Sequence, residues 1–158
     1  MKLSQSLNDA LNQQVLKEFH NELVYRQIQS YFEDYQLKNL AAYFEKQAGE
    51  ENSHGKKFIQ YINDRTGGEV FLSDIDGPNL SISDFQSIGD IYVSVEEATT
   101  ESIESIYELA LDEKSFIDLP FIQSMLFEQV EEEDSAQEFM MKIKMVKDIV
   151  LFDAEFGD

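Results

Sequence analysis

At 158 residues and with no cysteine, the chain fits one domain with room for a hydrophobic core, and disulfides, thiolate metal sites and cysteine nucleophiles are excluded together. Asp and Glu number 32 against 12 Lys and Arg, a formal net charge of −20, and a field of that sign repels nucleic acid and anionic membranes while it concentrates cations. The opening "MKLSQSLNDALNQQ" lacks the apolar core of a signal peptide, and no run approaches the length of a membrane span, so a soluble cytoplasmic protein is the expectation. Residues 4 to about 34 carry Leu7, Leu11, Val15, Glu18, Tyr25 and Phe32 at helical spacing, and residues 37 to about 64 repeat the pattern with Leu40, Phe44, Glu51, Phe58 and Ile62. "DRTGGEVFLSDIDGPNLSISD" is punctuated as a loop over about 65–83 by Gly67, Gly68, Gly77 and Pro78. Ser83, followed by "DFQ", is placed to cap a third helix to about residue 113, with Ile88, Tyr92, Glu96, Ile103 and Ile106 on one face. Pro120 opens a fourth, to about 145, through Ile122, Met125, Gln129, Ala136, Met140 and Ile143, and "IVLFDAEFG" adds a short fifth at about 148–156.

Four long helices with short first and last connections make an all-α four-helix bundle, a single domain over residues 1–158. A helix of this size spans on the order of 40 Å, and an extended loop of about 20 residues can run that distance. The loop between helices two and three is therefore a crossover along the bundle.

Polar residues interrupt the inward stripes at one height. Glu18, Glu51, Glu96 and Gln129 each fall near the middle of a different helix, and His54 follows Glu51 by one turn. Three buried carboxylates together are prohibitively costly unless cations neutralise them. A mixed carboxylate and imidazole shell suits a divalent first-row metal such as iron, with two metals sharing a bridging carboxylate.

The stretches "LNQQVLKEFHNELVY", "AGEENSHGKKFIQYINDRTG" and "FEQVEEED" resemble the helix signatures of the prokaryotic non-haem ferritins, over essentially the whole chain. The resemblance implies that Glu18 and His54 belong to a first iron site, that Glu51 bridges two irons, that Glu96 belongs to the second site and that Gln129 stands beside it. It implies a role for Tyr25 as a donor of an electron or a hydrogen bond, and a third iron site at Glu50, Glu128, Glu131 and Glu132. The implied activity is that of a ferroxidase, which oxidises Fe(II) with dioxygen or hydrogen peroxide. The implied assembly is a twenty-four-subunit homo-oligomeric cage that stores ferric oxide mineral in the cytoplasm, with neither nucleic acid nor membrane as partner. Val24, Tyr31 and Tyr35, off the core stripe, are expected to face neighbouring subunits.

Departures from related patterns narrow the reading. Gln129 is followed by "VE", so the second Glu-x-x-His of bacterioferritins and rubrerythrins is absent and no haem is expected; Met125 and Met140 read as core. The segment "KIKMVKDIVLFDAEFGD" is shorter than the family's usual connection to its fifth helix. Glu22, one turn from Glu18, reads as a salt-bridged residue at a helix contact, and His20 as a surface or interface histidine. The alternatives are a DNA-protecting miniature ferritin, disfavoured because no basic arm is present, and a non-catalytic iron-storage subunit or purely structural bundle.

Overall fold

The computed structural model describes residues 1–157 and contains five helices and, among these residues, no strand. They are α1 (Gln5–Asp34), α2 (Lys38–Asp64), α3 (Ser87–Asp112), α4 (Leu119–Lys144) and α5 (Ile149–Phe156). α1 packs chiefly on α2 and α3 on α4, α1 also meets α3, and α5 docks on α2. Ser4 starts α1 by accepting the Leu7 amide on its hydroxyl, at 3.1 Å, which satisfies one of the donors a helix start leaves free.

The core has two halves on either side of the polar layer. One is rich in aromatic rings, among them Tyr25, Phe32, Phe44, Tyr92 and Phe139. The other is mainly aliphatic, built on Leu7, Leu11, Val15, Ile62, Ile103 and Ile122 around Phe58. Each fully buried Leu, Ile or Phe contributes about 1.5–3 kcal/mol relative to an exposed one, so these stripes hold the helices together and fix which faces point inward. Two glycines allow close approach. A Cβ at Gly55 would collide with the Phe19 ring, so α1 and α2 are drawn together one residue after His54. A Cβ at Gly89 would lie 2.8 Å from the Met140 Cα, which brings α4 against the start of α3.

The crossover is tied to α1 by side-chain amides. Asn8 Oδ1 accepts the Glu69 amide and Asn12 Nδ2 donates to the Glu69 carbonyl, both at 2.8 Å. Two asparagines one turn apart thus stand in for a neighbouring strand and align the chain with the helix. At the other end, Asp153 of α5 accepts the Leu40 amide at 2.8 Å, placing a carboxylate at the positive start of α2. Phe152 buries beneath it.

Four details differ from the sequence reading. The crossover extends to Gln86, and the Ser87 amide is taken by Asp84 Oδ1 at 2.8 Å rather than by Ser83; the shorter carboxylate-to-amide path three residues ahead wins. Phe139, not Met140, occupies the buried position on α4. Steps of three and four from Ala136 are equally helical, and the approach of α4 to Gly89 puts Met140 at the helix contact instead of the centre. Val24 is 3% exposed and packs in the chain's own aromatic half, so it is not left for a neighbour. Tyr31 is partly covered by Phe32, Tyr35 and Phe85, while Tyr35 stays 56% exposed.

Candidate metal centre

At mid-height, four helices each aim a polar side chain into one layer: Glu18 from α1, Glu51 from α2, Glu96 from α3 and Gln129 from α4, none more than 2% exposed. Two clusters form there. Glu18, Glu51 and His54 each offer one ligand atom, and these atoms lie within 4.8 Å of one another; Glu51, Glu96 and Glu132 do the same. Glu51 belongs to both. Its two oxygens have no hydrogen-bond partner, nor do Glu18 Oε2 and His54 Nδ1. His54 Nδ1 stands 3.9 Å from Glu18 Oε2 and 3.8 Å from Glu51 Oε2.

Orphaned buried oxygens of this kind are rare in folded proteins because desolvating an unpaired charge is costly. Without a cation, burial favours the protonated forms of these acids. Burial, then the charge of Glu51, pushes Glu18 well above the ordinary carboxylate range. Burial does the same to Glu51. Burial, with Glu96 and Glu50 nearby, pushes Glu132 up to about 8. Four carboxylates and one imidazole make up the two clusters. Ionised, Glu18, Glu51, Glu96 and Glu132 would match the charge of two divalent cations, with Glu51 shared between them. The donor set fits hard or borderline first-row metals.

The surrounding contacts hold these groups in place. Gln14 Nε2 donates to Glu18 Oε1 at 3.0 Å. The Tyr25 hydroxyl donates to Glu96 Oε1, and Gln129 Nε2 donates to Glu96 Oε2 at 3.1 Å and lies 3.2 Å from Thr100 Oγ1. His54 Nε2 lies 3.0 Å from Glu128 Oε2, and Lys57 Nζ lies 2.6 Å from Glu128 Oε1. Glu128 Oε2 makes no hydrogen bond there, so it acts on the ring as a nearby charge, and a negative charge behind an imidazole makes the other nitrogen a better ligand.

The residues expected at a third site lie next to these clusters. Glu50 stands beside Glu132, Glu132 itself joins the second cluster, Glu128 faces His54 and Lys57, and Glu131 is exposed and in neither cluster. Glu22 is bonded to Arg26 at 3.3 Å and accepts from Asn52 Nδ2 at 3.0 Å, a salt-bridged residue at the α1–α2 contact. His20 Nδ1 donates to the Asp76 carbonyl at 2.6 Å, beside a cleft of about 540 Å³ between α1, α3 and the crossover that contains none of the clustered residues. Gln14 is no part of the helical stripe pattern, and its place four residues before Glu18 is the one sequence signal of this contact.

A family model for the ferritin-like domain matches residues 8–146. A bacterial non-heme ferritin of Staphylococcus aureus is 30% identical over 162 aligned positions, covering 98% of this chain and 95% of that protein. One from Staphylococcus saprophyticus is 32% identical over 131, covering 83% and 78%. Among solved structures, an open pore ferritin from the archaeon Archaeoglobus fulgidus is similar at a TM-score of 0.93 and 28% identity, covering 98% of this chain and 96% of that one. A humanized archaeal ferritin reaches the same TM-score at 29% identity, covering 98% and 97%. With the family match over most of its length and the helical fold shared end to end, this chain belongs to the ferritins, on their prokaryotic non-haem branch.

Proposed function

We propose that the protein stores iron and acts as a ferroxidase, binding two Fe(II) ions as substrate in the polar layer and passing ferric product into a hollow homo-oligomeric shell. In this reading Glu18, Glu51 and His54 hold the first iron; Glu51, Glu96 and Glu132 hold the second. Gln129 and Tyr25 steady Glu96. The observation that carries it is Glu51, a buried carboxylate with both oxygens unpartnered and one cluster on each side. Such a group is tolerable as a protonated acid or as a bridge between cations.

Two Fe(II) each give up one electron, so dioxygen or peroxide receives two at once, and ligation by four carboxylates and one imidazole favours the ferric product. Cations displace the protons that burial holds on Glu18, Glu51 and Glu132, so loading releases protons. The relatives named as ferritins support storage, and a twenty-four-subunit cage is the assembly proposed, with apolar residues such as Phe116, Phe127 and Leu151 exposed on the subunit for neighbours to cover. An aerobic Fe(II) titration tests the activity: rapid diferric absorbance breaking at about two irons per chain is expected of a dinuclear centre. Slow oxidation without a break would leave storage without the centre. Light scattering tests the cage, and particles no larger than a dimer would remove it.

A further inference from the structure

We propose that Tyr25, Tyr92 and Tyr43 form a one-way path for oxidising equivalents, leading from the carboxylate centre to a cleft at the surface where a small one-electron donor restores the protein. The proposal rests on the ferroxidase reading and adds an exit from it. Tyr25 touches the centre through its bond to Glu96. Its ring meets Tyr92 edge-on at 5.5 Å between centroids. The Tyr92 hydroxyl, inside the core, lies 3.1 Å from the Tyr43 hydroxyl. Tyr43 is half-buried and lines a cleft of about 190 Å³ with Ser135, Glu138, Phe139, Lys142 and Phe156.

Packing alone does not account for the hydroxyls. Phe would fill position 92 as well, and a buried hydroxyl is costly unless bonded. Tyr25 and Tyr92 are buried in the aromatic half, whereas the buried members of the aliphatic half include no tyrosine. A phenol, with an ordinary pKa of about 10, keeps its proton at neutral pH and must release it when it loses an electron. The two ends set the direction: oxidising equivalents arise only beside Tyr25 at the centre, and Tyr43 is the member that lines a cleft where a donor can refill it.

The chemistry balances with peroxide as the oxidant. When dioxygen has taken only the two electrons of the iron pair, the resulting hydrogen peroxide takes one electron and one proton from each of two tyrosine equivalents, giving two waters and two tyrosyl radicals. A radical on Tyr25 passes outward: Tyr25 regains an electron and takes up a proton from water through Glu96, replacing the one spent on peroxide, Tyr43 loses an electron and gives its proton to solvent, and Tyr92 between them ends unchanged. An ascorbate-class or thiol donor then returns one electron and one proton to Tyr43.

The test uses assembled protein loaded anaerobically with Fe(II), mixed with oxygen in the presence of ascorbate and freeze-quenched. Electron paramagnetic resonance with ring-deuterated tyrosine follows the radical, and a peroxide-selective dye follows leakage. Tyr43→Phe and Tyr92→Phe should leave the first burst of iron oxidation close to wild type, lengthen the radical's life severalfold and raise peroxide release severalfold. The double variant removes both hydroxyls of the buried pair and should fold normally, with the same phenotype as either single one. Normal iron oxidation with unchanged radical lifetime and peroxide release in all three variants would overturn the path alone. A wild-type protein that does not oxidise iron rapidly would overturn both the path and the ferroxidase reading.

Discussion

Asp118, before α4, and Glu51, halfway along α2, are both carboxylates with at most 1% exposure, and the fold treats them oppositely. Asp118 is saturated: Arg65 Nε and Nη2 donate at 2.6 and 3.2 Å, Ser115 Oγ at 2.6 Å, and the Tyr61 hydroxyl also donates. These partners outweigh the burial that would raise it and hold it below the ordinary range. Glu51 receives no hydrogen bond from an amide, hydroxyl or guanidinium, only the acid Glu18 stands close enough to share a proton with it, and burial pushes it well above that range. One buried charge is completed by the chain and fastens the crossover's first residue to the α3–α4 turn. The other is left incomplete at the place where four helices could have supplied a donor, which is how a site for a cation differs from a structural ion pair.

The comparison breaks most visibly on activity. Glu51→Ala should lower rapid iron oxidation by about 100-fold or more, beyond the 10–100-fold typical of partners outside the ligand shell, while the helical circular dichroism is kept. Asp118→Ala, judged per folded chain, should oxidise iron at nearly the wild-type rate. Stopped-flow oxidation of both proteins separates them, and wild-type rates in folded Glu51→Ala would sink the bridge.

Stability should reverse the order. Removing Asp118 strands the Arg65 guanidinium, 10% exposed, and the loss of one partner of a buried pair costs about 3–5 kcal/mol. Glu51→Ala removes an unpaired acid and should leave the apo protein as stable as wild type or more so. Urea unfolding of the two apo variants reads both; equal destabilisation would mean that Glu51 has a partner after all.

The sequence disclosed these two residues unequally. Glu51 was visible because it breaks a periodic apolar stripe at the same height as Glu18, Glu96 and Gln129, and helical periodicity projects such breaks onto one layer. Asp118 and Arg65 lie 53 residues apart outside that periodicity, so nothing local pairs them. The resemblance implies Glu132 at a third site with Glu131, and the structure also brings its carboxylate into the second cluster; adjacent residues on a helix differ by about 100° in direction, and only the packing of α4 shows which one turns inward. Phe139 and Met140 are indistinguishable by periodicity for the same reason, and packing alone buries Phe139.

The two carboxylates also predict opposite pH slopes in the apo protein. Glu18, Glu51 and Glu132 have folded pKa values above their ordinary 4.5, Glu132 at about 8. Between 4.5 and those values the native state holds more protons than the unfolded one, so these groups make stability fall as pH rises. Asp118 lies below its ordinary 3.8; its contribution is present above that value and is lost as pH falls through the folded one. Apo thermal unfolding is therefore expected to weaken from pH 5 toward pH 8, and a redox-inert divalent ion such as Zn(II) should reduce that decline by replacing the protons. A flat apo profile with the same response to Zn(II) at every pH would mean that the clustered acids are not protonated.

Glu128 belongs to both kinds of environment and should show the smallest effect. Its Oε1 is paired with the exposed Lys57 at 2.6 Å, an ordinary surface contact, while Oε2 lies 3.0 Å from His54 Nε2. If His54 Nδ1 takes iron, the proton on Nε2 faces Glu128, and the carboxylate's charge raises the ring's electron density. Glu128→Gln keeps the shape and removes the charge, and a partner of this kind is worth about 10-fold in metal affinity. Lys57→Ala touches only the exposed half of the contact, where a surface pair contributes about 1 kcal/mol or less to stability. Iron titrations at limiting Fe(II) should show a weaker first site in Glu128→Gln, near-normal binding in Lys57→Ala and no change in Glu131→Ala, whose side chain reaches neither cluster. Equal affinities in all three would mean that Glu128 belongs wholly to the surface and that the chain orients His54 through α2 alone.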